Sequence, residues 1–198
     1  MQRQKVQVMV GSLRKLLRRN AYGHAMNLLA KIRPADISSI VLELSDRERS
    51  SIFSILMNRD RSLLAETLKS IGPERGLDFL MESSTEDVSA VLQELESDSA
   101  ALFISALPEE VGQAVLDQMR SEESVEVQGL LQYEKETAGR IMTPNVFCLG
   151  ETVSVNEAIH TIQTAQDLEM VFYLYIIDDR HHLVGVASLR QLLTVPPS

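Results

Sequence analysis

The chain has 198 residues, 44% of them apolar and 24% charged, which allows one or two globular domains with cores of their own. A formal net charge of −9 argues against nucleic acid as a partner, because affinity for a polyanion rests on neutralising its phosphates. No run approaches the roughly 20 apolar residues that crossing a bilayer requires; no secretory core follows the first residues, and one cysteine, Cys148, excludes an internal disulfide and fits a reducing, cytoplasmic compartment.

The first 19 residues hold Arg3, Lys5, Arg14, Lys15, Arg18 and Arg19 and no acid. Of 19 bases in all, the 13 that remain face 28 acids, so the rest of the chain carries −15. The leading segment reads as an amphipathic helix with Met9, Leu13, Leu16 and Leu17 packed inward. Its basic face is available to anionic lipid or an acidic partner. From about residue 5 to 133 the periodicity predicts successive short helices, punctuated at Arg33-Pro34, Ile71-Gly72-Pro73 and Leu107-Pro108, where proline fits a first helical turn. Glycine is sparse and strand alternation absent, so this region is all-α.

A weak internal repeat points to a superhelix of helical hairpins. With an offset of 51, the segment 35–56 aligns without a gap on 86–107, pairing Asp36 with Asp87, Ser38 with Ser89, Glu43 with Glu94, Leu44 with Leu95 and Leu56 with Leu107. Each hairpin would bury its apolar face on the next, as in solenoids. From Leu116 through Gly139 the pattern predicts a helix running into the last part of the chain as a stiff connector, with no Gly/Ser linker.

The stretch from Glu136 to Leu193 reads as a βαββα unit. A first strand is expected over 145–149, with Cys148 buried on it. Ser154 with Glu157 three residues on forms a capping box, and Val155, Ala158, Ile159, Ile162 and Ala165 share the face of the helix it opens. Phe172 to Ile177 is a β-branched and aromatic run of strand length, Asp178-Asp179-Arg180-His181-His182 is a polar turn, and Leu183 to Ala187 completes an antiparallel hairpin. Ser188 with Gln191 opens a second helix in the same way.

The sequence GRIMTP, the hairpin and LVGVASLRQLL resemble a CBS motif. The wording YEKETAGRIMTP, FYLYIIDD and LVGVASLRQLL resembles the first CBS motif of the MgtE family of magnesium transporters, in which an all-helical N domain precedes the CBS pair and a transmembrane domain follows it. The expected fold class is therefore α+β: an all-α superhelical domain over 1–133, followed over 134–198 by one CBS motif, half of a CBS pair.

Catalysis finds little support among the residues. His24 and His160 stand alone on helical patterns, His181-His182 sits in a turn, and no zinc spacing, nucleophile elbow or phosphate loop is present; the chain is read as not an enzyme. Acids at helix starts are the better candidates: Glu82, Glu86 and Asp87 in one repeat, Asp36, Glu43 and Asp46 in the other. Capping and the helix macrodipole account for such residues without any ligand.

The resemblance adds that an acidic pair at Glu86 and Asp87 faces carboxylates of the CBS domain, with Mg²⁺ bridging them. Mg²⁺ tolerates sparse carboxylates because it keeps several waters. Ala90, one turn later, and Ser54 stand where the family has further acids. The resemblance also implies an adenosine-nucleotide site, with Tyr173 stacking on the base, Ser188 and Arg190 near the phosphates, and Gln191 where an aspartate usually meets the ribose.

The expected function is the cytoplasmic Mg²⁺-sensing, gating region of an MgtE-like transporter. It would be joined to a transmembrane domain at the cytoplasmic membrane face if the gene continues, and form a homodimer through residues 140–193. The alternative is a free-standing CBS-containing adaptor that docks proteins on its helices.

Overall fold

A computed structural model describes residues 3–144, 146–165 and 172–195. Helices come first: α1 (Arg3–Arg18), α2 (Tyr22–Leu29), α3 (Pro34–Val41), α4 (Asp46–Arg59), α5 (Arg61–Ile71), α6 (Pro73–Met81), α7 (Thr85–Leu92), α8 (Ser97–Ala106), α9 (Glu109–Gln118), α10 (Ser121–Leu131) and α11 (Ala138–Ile141). Then follow β1 (Cys148–Gly150), α12 (Val155–Thr164), β2 (Tyr173–Ile177), β3 (Leu183–Ser188) and α13 (Leu189–Thr194). The chain divides into two compact units, Met1–Pro144 and Asn145–Ser198. The α+β class with an all-α leading domain is what the sequence predicts.

In the first unit α1 turns Val6, Val10, Leu13 and Leu17 into the core, with Met9 and Leu16 partly buried against it. Helices pack on the next but one along the chain: α1 on α3, α3 on α5, α5 on α7, α7 on α9 in one row, and α2 on α4, α6 on α8, α8 on α10 in the other. Phe53 of α4 stacks on Phe79 of α6, ring centroids 4.0 Å apart, and continues the second row.

The offset of 51 found in the sequence carries α2 onto α6, α3 onto α7 and α4 onto α8, and the packing repeats with it. The repeat contains more than the expected hairpin: its copies are α2–α4 and α6–α8, and α5 lies between them, followed at once by α6. Gly72 separates α5 from α6 at φ 84°, a left-handed conformation that suits glycine, and Pro73 then starts α6.

The single helix predicted from Leu116 to Gly139 is not formed. Met119 is buried with extended backbone at the end of α9, Arg120 takes ψ 145° as N-cap of α10, and α10 stops at Leu131. Residues 132–136 are exposed, and Glu136 takes φ 67°. The stiff connector is thereby corrected to a helix, an exposed turn and the short α11. Helical propensity loses here to the buried anchors: Ser124 donates its hydroxyl to the Leu116 carbonyl at 3.0 Å, and buried Arg140 donates to the Leu130 carbonyl at 3.1 Å. That second bond ties α11 to α10. The segment 134–144, expected with the CBS motif, thus belongs by its contacts to the first unit.

The second unit is a three-stranded sheet in the order β1-β2-β3, with β1 parallel and β3 antiparallel to β2. Both predicted capping boxes are present: Ser154 with Glu157, and Ser188 with Gln191. One sheet face carries Leu149, Leu174, Ile176 and Ala187, which pack with Ala158, Ile162 and Leu192 of the two helices. Pairing places Tyr173, Tyr175 and Val186 on the other face, which is open: their exposures are 63%, 40% and 53%. Cys148 pairs with Tyr175 and is half-buried where full burial was expected; the strand begins there, and position 145 lies outside the described residues.

Candidate functional site

The acidic start of α7 is assembled by its cap. Ser84 takes extended backbone, accepts the Asp87 backbone N–H at 3.1 Å and donates its hydroxyl to the Asp87 carboxylate at 2.9 Å. Asp87 is half-buried and Glu86 exposed, both in the first turn, where the positive end of the helix dipole favours them. Among the described residues no cation pairs with either.

The other acids singled out are engaged. Asp36, the repeat counterpart of Asp87, is buried with the Arg33 guanidinium at 3.2 Å. Asp46 pairs with Arg49 at 3.4 Å, Glu43 accepts from Gln7 at 3.4 Å, and Glu82 accepts the Ser50 hydroxyl at 3.1 Å. The repeat thus puts one aspartate beside an arginine and leaves its twin with a hydroxyl.

The donor set at Glu86 and Asp87 suits an ion that accepts few protein ligands and keeps its waters, as Mg²⁺ does. A fuller cage is absent: among the described residues no group of three or more His, Cys, Asp or Glu lies close enough to hold a metal. His181 and His182 occupy the hairpin turn, where Asp178 accepts the backbone N–H groups of Arg180 and His182 and pairs with the His182 ring at 3.2 Å. Those bonds, led by the His182 backbone N–H, hold the Asp178 carboxyl below its usual value. The turn is satisfied internally.

In the second unit a cleft of about 640 Å³ is lined by Phe172, Tyr173, Ser188, Leu189, Arg190, Leu193 and Thr194. Three of the four residues expected at a nucleotide meet there: Tyr173, Ser188 and Arg190. Gln191 does not line it. Its side-chain oxygen turns back to accept the Ser188 backbone N–H at 2.9 Å and hydroxyl at 3.0 Å, so the amide serves the cap. Sequence reasoning missed Phe172, Leu193 and Thr194. The last two follow Leu189 and Arg190 by one helical turn, a spacing that would have placed them on the same face.

A helical-repeat domain joined to a CBS-type βαββα unit defines the class. Residues 32–136 match the family described as the MgtE intracellular N domain, and residues 138–198 match the CBS domain. The chain belongs to the MgtE family.

It is 28% identical over 199 aligned positions to the magnesium transporter MgtE of Thermus thermophilus, across 94% of this chain and 42% of the relative. It is 26% identical to MgtE of Bacillus subtilis, across 92% of this chain and 40% of the relative. The chain therefore spans about two fifths of the length of these relatives. Among solved structures it resembles the soluble part of a magnesium transporter, with a TM-score of 0.78 and 25% identity over 98% of this chain and 75% of that one. It also resembles the cytosolic domain of the Mg²⁺ channel MgtE in complex with ATP, with a TM-score of 0.83 and 28% identity over 95% of this chain and 76% of that one.

Proposed function

We propose that this chain is the Mg²⁺-responsive regulatory region of an MgtE-like magnesium transporter, acting at the cytoplasmic face of the membrane. The observation that carries the reading is the pair Glu86 and Asp87 at a helix start, with no cation beside either among the described residues, where Asp36, the repeat twin of Asp87, has Arg33 beside it. Both units are acidic, residues 1–144 with a net charge of −5 and residues 145–198 with −4, so they repel one another at low cation concentration. Mg²⁺ held at Glu86 and Asp87 with most of its waters reduces that repulsion and favours the associated arrangement. The shift is set by the difference in Mg²⁺ affinity between the associated and separated states.

Limited proteolysis tests this. The exposed turn at 132–136 contains Lys135, a tryptic site. Mg²⁺ in the millimolar range is expected to slow cleavage there, and Glu86→Gln with Asp87→Asn to abolish the effect. Equal cleavage with and without Mg²⁺ would remove the sensor role.

An adenosine nucleotide in the cleft beside Tyr173 is the second reading, supported by three expected residues lining one cavity and by a similar solved domain complexed with ATP. Gln191, committed to its cap, leaves the ribose without the usual acidic partner. Equilibrium dialysis with ATP should show binding that Tyr173→Ala weakens; binding indifferent to that change would place the nucleotide elsewhere. Two copies are further proposed to associate through residues 140–193, using the open apolar sheet face.

A further inference from the structure

Charge in the first unit is strongly segregated. Residues 1–35 hold eight bases, Arg3, Lys5, Arg14, Lys15, Arg18, Arg19, Lys31 and Arg33, and no acid, while the rest of the chain holds 11 bases against 28 acids. Beside this basic end a groove of about 490 Å³ lies between the start of α2 and the length of α4, lined by Tyr22, Arg47, Ser50, Ser51, Ser54, Ile55, Asn58 and Arg59. That volume is in the range of small-molecule sites.

Of the two arginines, Arg59 complements the helix dipole in the last turn of α4, and Arg47 is the one without a structural use. Arg49, between them in sequence, pairs with Asp46 and donates to the Val41 and Leu44 carbonyls. Arg47 and Arg59 meet no carboxylate among the described residues. Arg47 also stands in the first turn of α4, the helix end where the macrodipole disfavours a cation. Twelve residues of helix separate the two, about 18 Å along the axis, and long guanidinium side chains can close on one ligand from both ends.

Between them the surface is small and polar: Ser51 and Asn58 donate to carbonyls of their own helix, and Tyr22 donates its hydroxyl to Asn20 at 2.9 Å. Ile55 and the Tyr22 ring supply an apolar floor. Glu82, which accepts from Ser50, sets a negative limit on one side of the groove.

We infer that this groove is an oxyanion site for a small phosphate-bearing molecule, its negative charge forked by Arg47 and Arg59. The site is separate from Glu86 and Asp87 and does not rest on the Mg²⁺ reading.

The probe is inorganic pyrophosphate, titrated into the full chain by calorimetry in metal-free, low-salt buffer. Saturable binding is expected, weakened at least tenfold by Arg47→Gln with Arg59→Gln and unchanged by Lys5→Gln with Lys135→Gln, which removes equal charge elsewhere. Both arginines are exposed, and an unaltered melting curve for the double variant checks that it folds. A second arm presents the phosphate on vesicles of phosphatidic acid in phosphatidylcholine and reads co-sedimentation. Binding in either arm that only the groove variant abolishes upholds the site and identifies a soluble or a headgroup phosphate. Binding in neither arm, or binding lost equally in both variants, overturns it.

Discussion

The helical unit and the sheet unit solve burial to different degrees. The first encloses one continuous core running from Val6 to Leu130, with Phe103, Leu56, Leu64 and Ile37 sealed inside. Among the described residues the second buries only Leu149, Ala158 and Leu174, while Tyr173, Tyr175, Val184 and Val186 face outward. A stack of helices covers each apolar stripe with the next helix; a three-stranded sheet has two faces, and among the described residues helices cover only one. A surface covering that face would add to the second unit's stability.

The sharpest break of this contrast is a cavity in the closed core. Phe103→Ala is expected to cost about 3–5 kcal/mol and lower the melting temperature of the helical unit, read by circular dichroism at the helix band. Gly76→Ala acts at the same place from the opposite direction: its methyl would lie 2.9 Å from the Phe103 ring, costing about 1–3 kcal/mol. An unchanged melt for both variants would mean that this contact does not support the core.

On the open face the expected effect falls on association. Tyr175→Glu, which points away from the Leu174 core, should leave the melt of the monomer nearly unchanged and shift sedimentation at micromolar concentration from dimer to monomer. A dimer that survives this change does not use the sheet face.

The smallest effect is electrostatic and belongs to the closed unit. Partial burial raises the Glu48 carboxyl, but hydrogen bonds from the Ser45 backbone and hydroxyl, together with Arg14 at 3.2 Å, outweigh it and hold the group below the usual glutamate value. A depressed folded value stabilises the protein fully above the ordinary glutamate value, and that contribution disappears as pH falls through the depressed one. Glu48→Gln should therefore flatten the acid limb of a stability-versus-pH curve by less than about 1 kcal/mol, as for a partly exposed pair. An acid limb identical in the two proteins would show that the α1–α4 tie contributes nothing.

Legibility followed the range of the forces involved. Capping boxes at Ser154 and Ser188, the hairpin around Asp178 and the proline-marked starts of α3 and α6 depend on neighbours within a few residues, and all were readable. The connector was misread because its periodicity is helical throughout, while the break at Arg120 is decided by Met119 and Ser124 docking on other helices. Gln191 illustrates the same limit at the candidate site: its position in the motif is local, but its use by the Ser188 cap instead of the cleft is visible only in three dimensions.

By itself the sequence determined the all-α then βαββα order, the internal repeat, the MgtE resemblance and the acidic candidates, because periodicity, capping and motif wording are properties of adjacent residues. Tertiary structure decided that Asp36 is buried, that among the described residues no basic side chain pairs with Glu86 or Asp87, that Arg47 and Arg59 share a groove, and that one sheet face stays open. Burial, cavities and exposure depend on which distant segments meet, and packing sets that.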